Sequence, residues 1–430
     1  MSGSPLAVRV AILGGTIGGA ALLRGLSRYP HIAVDIYEWQ PAFRVEGHAV
    51  IIKPAAEDIL TRLDPALADC LDRAGAVEAL SETRISAGQF AGQAVASLDI
   101  WNYRQRMVDP QRLLEELVRG IPPRMIHFNS RISSITDLSP SEGVLLKFAN
   151  GTQRVYDVII GADFRCCVSR QYVLGANHPA LKARQSAWWE LPIRVPYERA
   201  LQALGPELLG TGTPCQTSYL GLGSYLQCDF MGGGKDVLIT AKAELSGYES
   251  DGPWAKLLTP QEFSAVFASH QLPICRNMIN LILSLYTVQV TGLCDPDHLP
   301  LSSYVSRSGA LIDEAAHSVL SYKGGRALVA LEEALVLSTL IARAPSRVAL
   351  PAALSAYDHV CRPRAEEAAA HSRDFNRKII GRDPDVGGLD PFLLPAQLQY
   401  HCQALVTTNV DAQLLAAAGL MDQMMMMLRG

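Results

Sequence analysis

Residues 8–38 read "VRVAILGGTIGGAALLRGLSRYPHIAVDIYE", and the order of residue types in this stretch decides the fold. Val8 to Leu13 is an apolar run of the kind shown by a strand buried on both faces. Gly14, Gly15, Gly18 and Gly19 form a turn, a helix follows to about Arg28, and "IAVDIYE" is a second strand ending on the acid Glu38. Strand, glycine turn, helix and strand make a βαβ unit. Unobstructed N–H groups at the start of its helix favour an anion such as a pyrophosphate, because the helix dipole and the orphan donors both point there. A strict G-x-G-x-x-G needs glycine at position 16, where Thr16 stands. Glu38 ends the next strand, where an acid binds the ribose hydroxyls of an adenosine. Gly14, Gly15, Thr16, Ile17, Gly18, Gly19 and Glu38 are therefore candidate dinucleotide-binding residues. The competing reading is a glycine-rich helix–strand turn without a ligand.

The rest of the chain bounds the function. Its 430 residues are 49% apolar and 19% charged, a globular composition long enough for two or three structural units. A formal net charge of −4 and the lack of a Lys/Arg-rich run give no electrostatic reason to expect nucleic acid. The N-terminus lacks a secretory pattern, and the Gly-broken run between Arg9 and Arg24 is too short to span a bilayer, so a cytoplasmic location is expected. Nine scattered cysteines without a C-x-x-C pair or His/Cys ligand spacing read as reduced and structural, with no metal site. There is no G-x-S-x-G, H-E-x-x-H or P-loop to support hydrolase, metalloprotease or NTPase chemistry.

Along the chain, residues 55–80 read as helical and 83–108 as strands. Asp109-Pro110 starts a helix as N-cap and first helical residue. Asn150-Gly151 reads as a hairpin turn. Residues 185–244 carry strand patterns containing the adjacent Trp188 and Trp189, of which at most one can face a substrate. A helical stretch covers 260–285, and long helices run to about residue 378. The tail ending "MDQMMMMLRG" is helical, and its methionines suit packing better than metal binding.

"VDIYEWQPAFR" (34–44), "DVIIGADFRCCVSR" (157–170), "DEAAH" (313–317) and "YDHVCRPRAEEAAAHSR" (357–373) follow the βαβ unit in a fixed order. Together they resemble the class A flavoprotein monooxygenases, the aromatic hydroxylases of the salicylate and para-hydroxybenzoate type and their fungal relatives. The resemblance runs from about residue 8 to 378. It implies an α/β fold: a discontinuous Rossmann-type FAD-binding domain (1–184 and 286–380), an inserted, mainly antiparallel β-sheet substrate domain (185–285), and a C-terminal linker and helical tail (381–430). It also implies FAD as cofactor, NAD(P)H as transient reductant, and hydroxylation of an aromatic, polyketide-like or terpenoid-like small molecule, as in secondary metabolism. Arg44, Asp163, Arg170, Glu314, Gly324 and Gly325 join the cofactor-binding set by the same resemblance.

Several positions depart from the family pattern. Phe164 replaces a glycine and Cys167 a serine, Asp313-Glu314 replaces glycine–aspartate, Gly47-His48-Ala49 replaces Gly-Ala-Gly, and Pro110 replaces an arginine. A Pro-containing loop ending in Gly-Gln-Gly becomes Ser321-Tyr322-Lys323-Gly324-Gly325-Arg326. Arg326 brings a cation to a helix start, which the dipole disfavours unless an anion sits beside it. These departures keep open a non-redox enzyme on the same fold, a cyclase or isomerase, or a silent binding protein. Tyr322, His317 and Arg326 are the candidate catalytic groups, with Lys323 beside them.

Overall fold

The computed structural model describes residues 8–427 apart from 45–48, 79, 98–104, 140–141, 164–167, 182–183, 210–214, 231–235, 246–253, 287–288, 298, 320–324 and 387. In chain order, the elements that build the site are β1 (Val8–Leu13), α1 (Ile17–Ser27), β2 (Ile32–Tyr37), β3 (Val158–Gly161), β4 (Arg184–Pro196), β5 (Cys215–Gly221), β6 (Ser224–Phe230), β7 (Asp236–Glu244), β8 (Gly309–Leu311), α2 (Gly325–Arg343) and α3 (Leu350–Ile379).

β1 lies at the centre of a six-stranded sheet ordered Val305–Ser306, β8, β3, β1, β2, Ile126–His127. The pairs from β8 through Ile126–His127 are parallel, and both faces are covered, one by α1, α2 and α3 and the other by the three-stranded antiparallel sheet of Ile132–Asp137, Val144–Phe148 and Gln153–Tyr156, which explains the near-continuous apolar runs. α1, α2 and most of α3 contribute to the core on this sheet, with Leu22, Leu23, Leu331 and Tyr357 buried.

An eight-stranded sheet runs Ala255–Leu258, Val290–Asp297, β4, β7, β6, β5, Leu80–Ile85, Ala94–Ser97. Its pairings are antiparallel apart from β5 with Leu80–Ile85. The fold is thus α/β, with a parallel sheet, a mainly antiparallel second sheet and helices that follow from Leu350 to Met427. At about 1.5 Å per residue the 30-residue α3 is long enough to join the two halves. Its first part packs in the core of the parallel sheet, while Phe375 and Ile379 pack on the large sheet.

Local expectations fare unevenly. Asp109 caps the helix Pro110–Val118 by accepting from Gln111 and Arg112 N–H. Asn150-Gly151 turns an antiparallel hairpin, Gly151 at φ +85°. The stretch 55–80, expected as helical, is the helix Pro54–Leu63, a short turn, Cys70–Arg73 and the strand Val77–Glu78. Asp64, extended and accepting from Ala66 N–H, ends the first helix ahead of Pro65, and Gly75 at φ +72° ends the second. Pro273 likewise divides 260–285 into Pro260–Val266 and Pro273–Leu283. No helix among the described residues is long and apolar enough to cross a membrane.

Candidate functional site

The glycine turn lies where β1 ends beside β3. Gly14 has φ +114°, and a Cβ there would sit 2.6 Å from Ala162 O and Asp163 N, so backbone of the neighbouring strand end blocks any side chain. Thr16 caps α1 through its hydroxyl, which accepts from Gly19 N–H at 3.2 Å. Ile17 then begins the helix, half-buried against the core. Two loop donors meet carboxylates. Gly15 N–H donates to Glu38 Oε2 at 2.9 Å, and Gly18 N–H donates to Asp313 Oδ2 at 3.1 Å. The second Glu38 oxygen accepts from Gln40 N–H at 2.9 Å. Missing side chains leave room that neighbours fill, the Phe43 ring over Gly15 and Asp313 over Gly18. The donors therefore take anionic oxygens, which is the chemistry a dinucleotide's phosphates require.

Opposite the helix start stands the turn Asp313–Ala315. Asp313 is non-glycine at φ +55°, buried, and its own N–H donates to Glu333 Oε2 at 2.8 Å. Glu333 Oε1 meets His317 Nε2 at 3.0 Å, and both side chains are buried. Burial opposes the His317 imidazolium, but the adjacent Glu333 carboxylate outweighs it and holds the group above its ordinary pKa. Arg170, buried beneath the turn, donates from Nε to Ala180 O at 2.9 Å and from a terminal nitrogen to Ala315 O at 2.6 Å. Its guanidinium thus braces backbone. Glu314 pairs with Arg326 at the start of α2, supplying the anion that a cation in that position calls for.

The structure brings together Gly14, Gly15, Gly18, Glu38, Asp163 and Asp313, with Glu314, Arg326 and His317 on the far side of the same turn. Gly19 packs against Gly14 O, and Gly325 is the buried first residue of α2. Arg44 is exposed on the loop after β2. Tyr322, Lys323, Gly324, Phe164 and Cys167 lie outside the described residues. Sequence reasoning missed Glu333, which organises the turn, and Phe43. The acid pair in "ALEEA" on a buried apolar helix was the signal available for Glu333.

Asp163 is half-buried, accepts from the Ser169 hydroxyl, and desolvation pushes its carboxyl up to about 7. A raised acid binds its proton more tightly in the folded chain, so stability is fully present below about pH 3.8 and falls as pH rises towards 7. The expected fall is roughly 2–4 kcal/mol. Urea unfolding of wild type and Asp163→Asn between pH 4 and 7.5 checks this: the variant should lose that component of the slope, and identical slopes would refute it.

The large sheet presents two different faces. Val237, Ile239, Leu226, Tyr219 and Trp189 point to one side, where Trp189 meets Phe263 and Phe267. The other side is apolar at its ends: Leu238 against Ile51 and Met107, and Trp188, Leu220 and Tyr225 against α3 and the helix Leu394–Val406. Between those contacts lies a buried polar band that includes Thr83, Ser218, Gln227, Asp229, Thr240 and Lys242. Gln227 donates to both Asp229 oxygens at 3.0 Å, and Lys242 pairs with Glu190 at 3.4 Å. Buried polar atoms on one face, with a dry apolar face behind, mark a surface shaped for a polar neighbour.

No protein-family model matches the chain. A 6-methylsalicylate 1-monooxygenase of Aspergillus terreus is 29% identical over 395 residues, covering 89% of this chain and 85% of that protein. A FAD-dependent monooxygenase of Phaeosphaeria nodorum is 27% identical over 404 residues, covering 91% and 81%. Among solved structures, a salicylate hydroxylase substrate complex superimposes with a TM-score of 0.79 over 96% of this chain and 98% of that one, at 24% identity.

Proposed function

We propose that this chain, a relative of the class A flavoprotein monooxygenases in sequence and fold, is an FAD-dependent, NAD(P)H-using hydroxylase of a small phenolic compound. The observation that carries this reading is the glycine turn. The buried N–H groups of Gly15 and Gly18, just before and within the first turn of α1, hold carboxylate oxygens, and Glu38 closes the adjacent strand, which supports a dinucleotide with its ribose at that acid. The relatives named above supply the reaction class. Bound FAD, once reduced by NAD(P)H, supplies the oxygen-activating chemistry.

The chain's own residues have separable tasks. Gly15 and Gly18 offer donors to the phosphates, and Glu38 offers its carboxylate to the ribose. Arg170 and Glu333 hold the turn 313–315 in place from behind, and Glu314 is paired with Arg326 at the start of α2. The polar band on the large sheet receives the substrate. Its donors and acceptors suit a ring bearing hydroxyl or carboxylate oxygens. An aromatic of salicylate or polyketide type, as in secondary metabolism, offers such oxygens, whereas a hydrocarbon-like terpenoid offers the band no polar group to meet.

A visible spectrum of the freshly purified protein and NAD(P)H consumption with a panel of salicylates test this. The expected results are flavin absorbance, retained or restored by added FAD, and oxidation stimulated by at least one hydroxylated aromatic. Colourless protein with no rescue by FAD and no stimulation would overturn the reading.

A further inference from the structure

We propose that Asp313 is a built-in competitor for the cofactor's pyrophosphate: its carboxylate holds the α1 donor that the phosphates need, and FAD binds by displacing it. This rests on the reading of the glycine turn as an FAD site. It concerns how strongly the site binds rather than whether it exists.

Three observations meet here. The first is occupancy. Gly18 N–H, at the start of an 11-residue helix, donates to Asp313 Oδ2 at 3.1 Å, and both residues are buried. Carboxylate and phosphate oxygens compete for such a donor because each gains from the same N–H and the same dipole. The second is space. A Cβ built on Gly18 would lie 2.9 Å from Asp313 Cβ and Oδ2, so the two residues are in direct contact and leave no gap for a phosphate group. The third is anchoring. Asp313 sits at φ +55°, a region that side-chain-bearing residues seldom adopt, and its N–H is tied to buried Glu333. The backbone is fixed, so the side chain must rotate away while the turn stays.

Charge acts in the same direction. Glu38 lies beside the loop, and Glu333 behind Asp313 is balanced by His317. Arg170 is committed to carbonyl oxygens beneath the turn, and Arg326 faces Glu314. A diphosphate entering beside an ionised Asp313 therefore meets like charge at close range.

Apo wild type, Asp313→Asn and Asp313→Gly should be titrated with FAD by flavin fluorescence, and with ADP and adenosine by calorimetry. Asparagine keeps the shape, tolerates the left-handed backbone and removes only the charge; glycine removes the side chain as well. Both variants are expected to bind FAD and ADP at least tenfold more tightly than wild type, with adenosine unchanged because it carries no phosphate. A gain in either variant confined to the phosphate-bearing ligands supports the competitor, with Asn reading charge and Gly reading volume. Equal affinities in all three proteins, or adenosine gaining as much as ADP, would overturn it. Wild type that binds FAD alongside unimproved variants sinks this inference alone, whereas no FAD binding by any of the three sinks the functional reading with it.

Discussion

Gly14→Ala is expected to destabilise the protein by about 3–5 kcal/mol and to leave it without retained flavin. Backbone strain at φ +114° accounts for about 1–3 kcal/mol, and the rest comes from contact. The new methyl would lie 2.6 Å from Ala162 O and Asp163 N, atoms held by the sheet: Ala162 N–H donates to Leu13 O, and β3 runs in register with β1. Neither atom can retreat without opening the central pair of strands. Gly15→Ala is the informative contrast, because its Cβ would meet side-chain atoms, the buried Phe43 ring and Glu38 Oε2, rather than strand backbone, and Gly15 carries no positive φ. Its stability cost should be smaller than that of Gly14→Ala. Gly151→Ala, at φ +85° with nothing within 4 Å, should cost about 1 kcal/mol from strain alone. Urea midpoints and the flavin absorbance surviving gel filtration give the ranking. A Gly14→Ala protein within 1 kcal/mol of wild type would refute the contact argument.

That ranking also explains why this part of the fold is legible in the sequence. A parallel strand at the middle of a sheet must be apolar on both faces, and a turn against a neighbouring strand end must be glycine. "VAILGG" states both conditions within six residues. The cap at Asp109-Pro110 and the hairpin at Asn150-Gly151 are legible for the same reason: each is satisfied by its own neighbours. Breaks inside 55–80 were harder to see, because Asp64-Pro65 and Gly75 interrupt an otherwise amphipathic stretch only at its seams.

The site itself depends on contacts that no local pattern encodes. Asp313 and Gly18 are 295 residues apart, and Arg170 and Ala315 are 145 apart. Sequence alone marks Asp313 as a replaced glycine. Only the folded chain shows that its carboxylate accepts from Gly18 N–H at the start of α1. The polar band is similarly hidden, because Gln227 and Thr240 each lie between apolar neighbours and Ser218 ends a short polar run. They form one surface only once the registers of β5, β6 and β7 align them. The adjacent tryptophans illustrate the converse: alternation requires that they part, and they do, Trp189 against the Phe263–Phe267 side and Trp188 against α3.

Glu333→Ala should cost about 3–5 kcal/mol, the usual consequence of removing one partner from a buried charged pair. Glu333 is buried, as is His317, and its two oxygens serve different masters: one meets His317 Nε2 at 3.0 Å, the other accepts from Asp313 N–H at 2.8 Å. Alanine would leave that N–H unsatisfied and the imidazolium without its counter-charge, and the turn carrying Asp313 and Glu314 would lose its anchor. Glu333→Gln separates the two effects, since the amide oxygen can still accept from Asp313 while the charge is gone. The pH dependence carries the distinction. A histidine raised in the folded state contributes stability that is fully present below its unfolded pKa, near 6.5, and is lost as pH rises through the folded value. Wild type should therefore lose stability above pH 6.5, and Glu333→Gln should lack most of that component because the main counter-charge holding the proton on His317 is gone and only the weaker pull of Asp313 remains. Urea unfolding from pH 5.5 to 8.5 reads both predictions. A Glu333→Gln protein that keeps the wild-type slope would show that His317 draws its charge from elsewhere. A small loss in Glu333→Ala would mean that the turn is anchored by Arg170 alone.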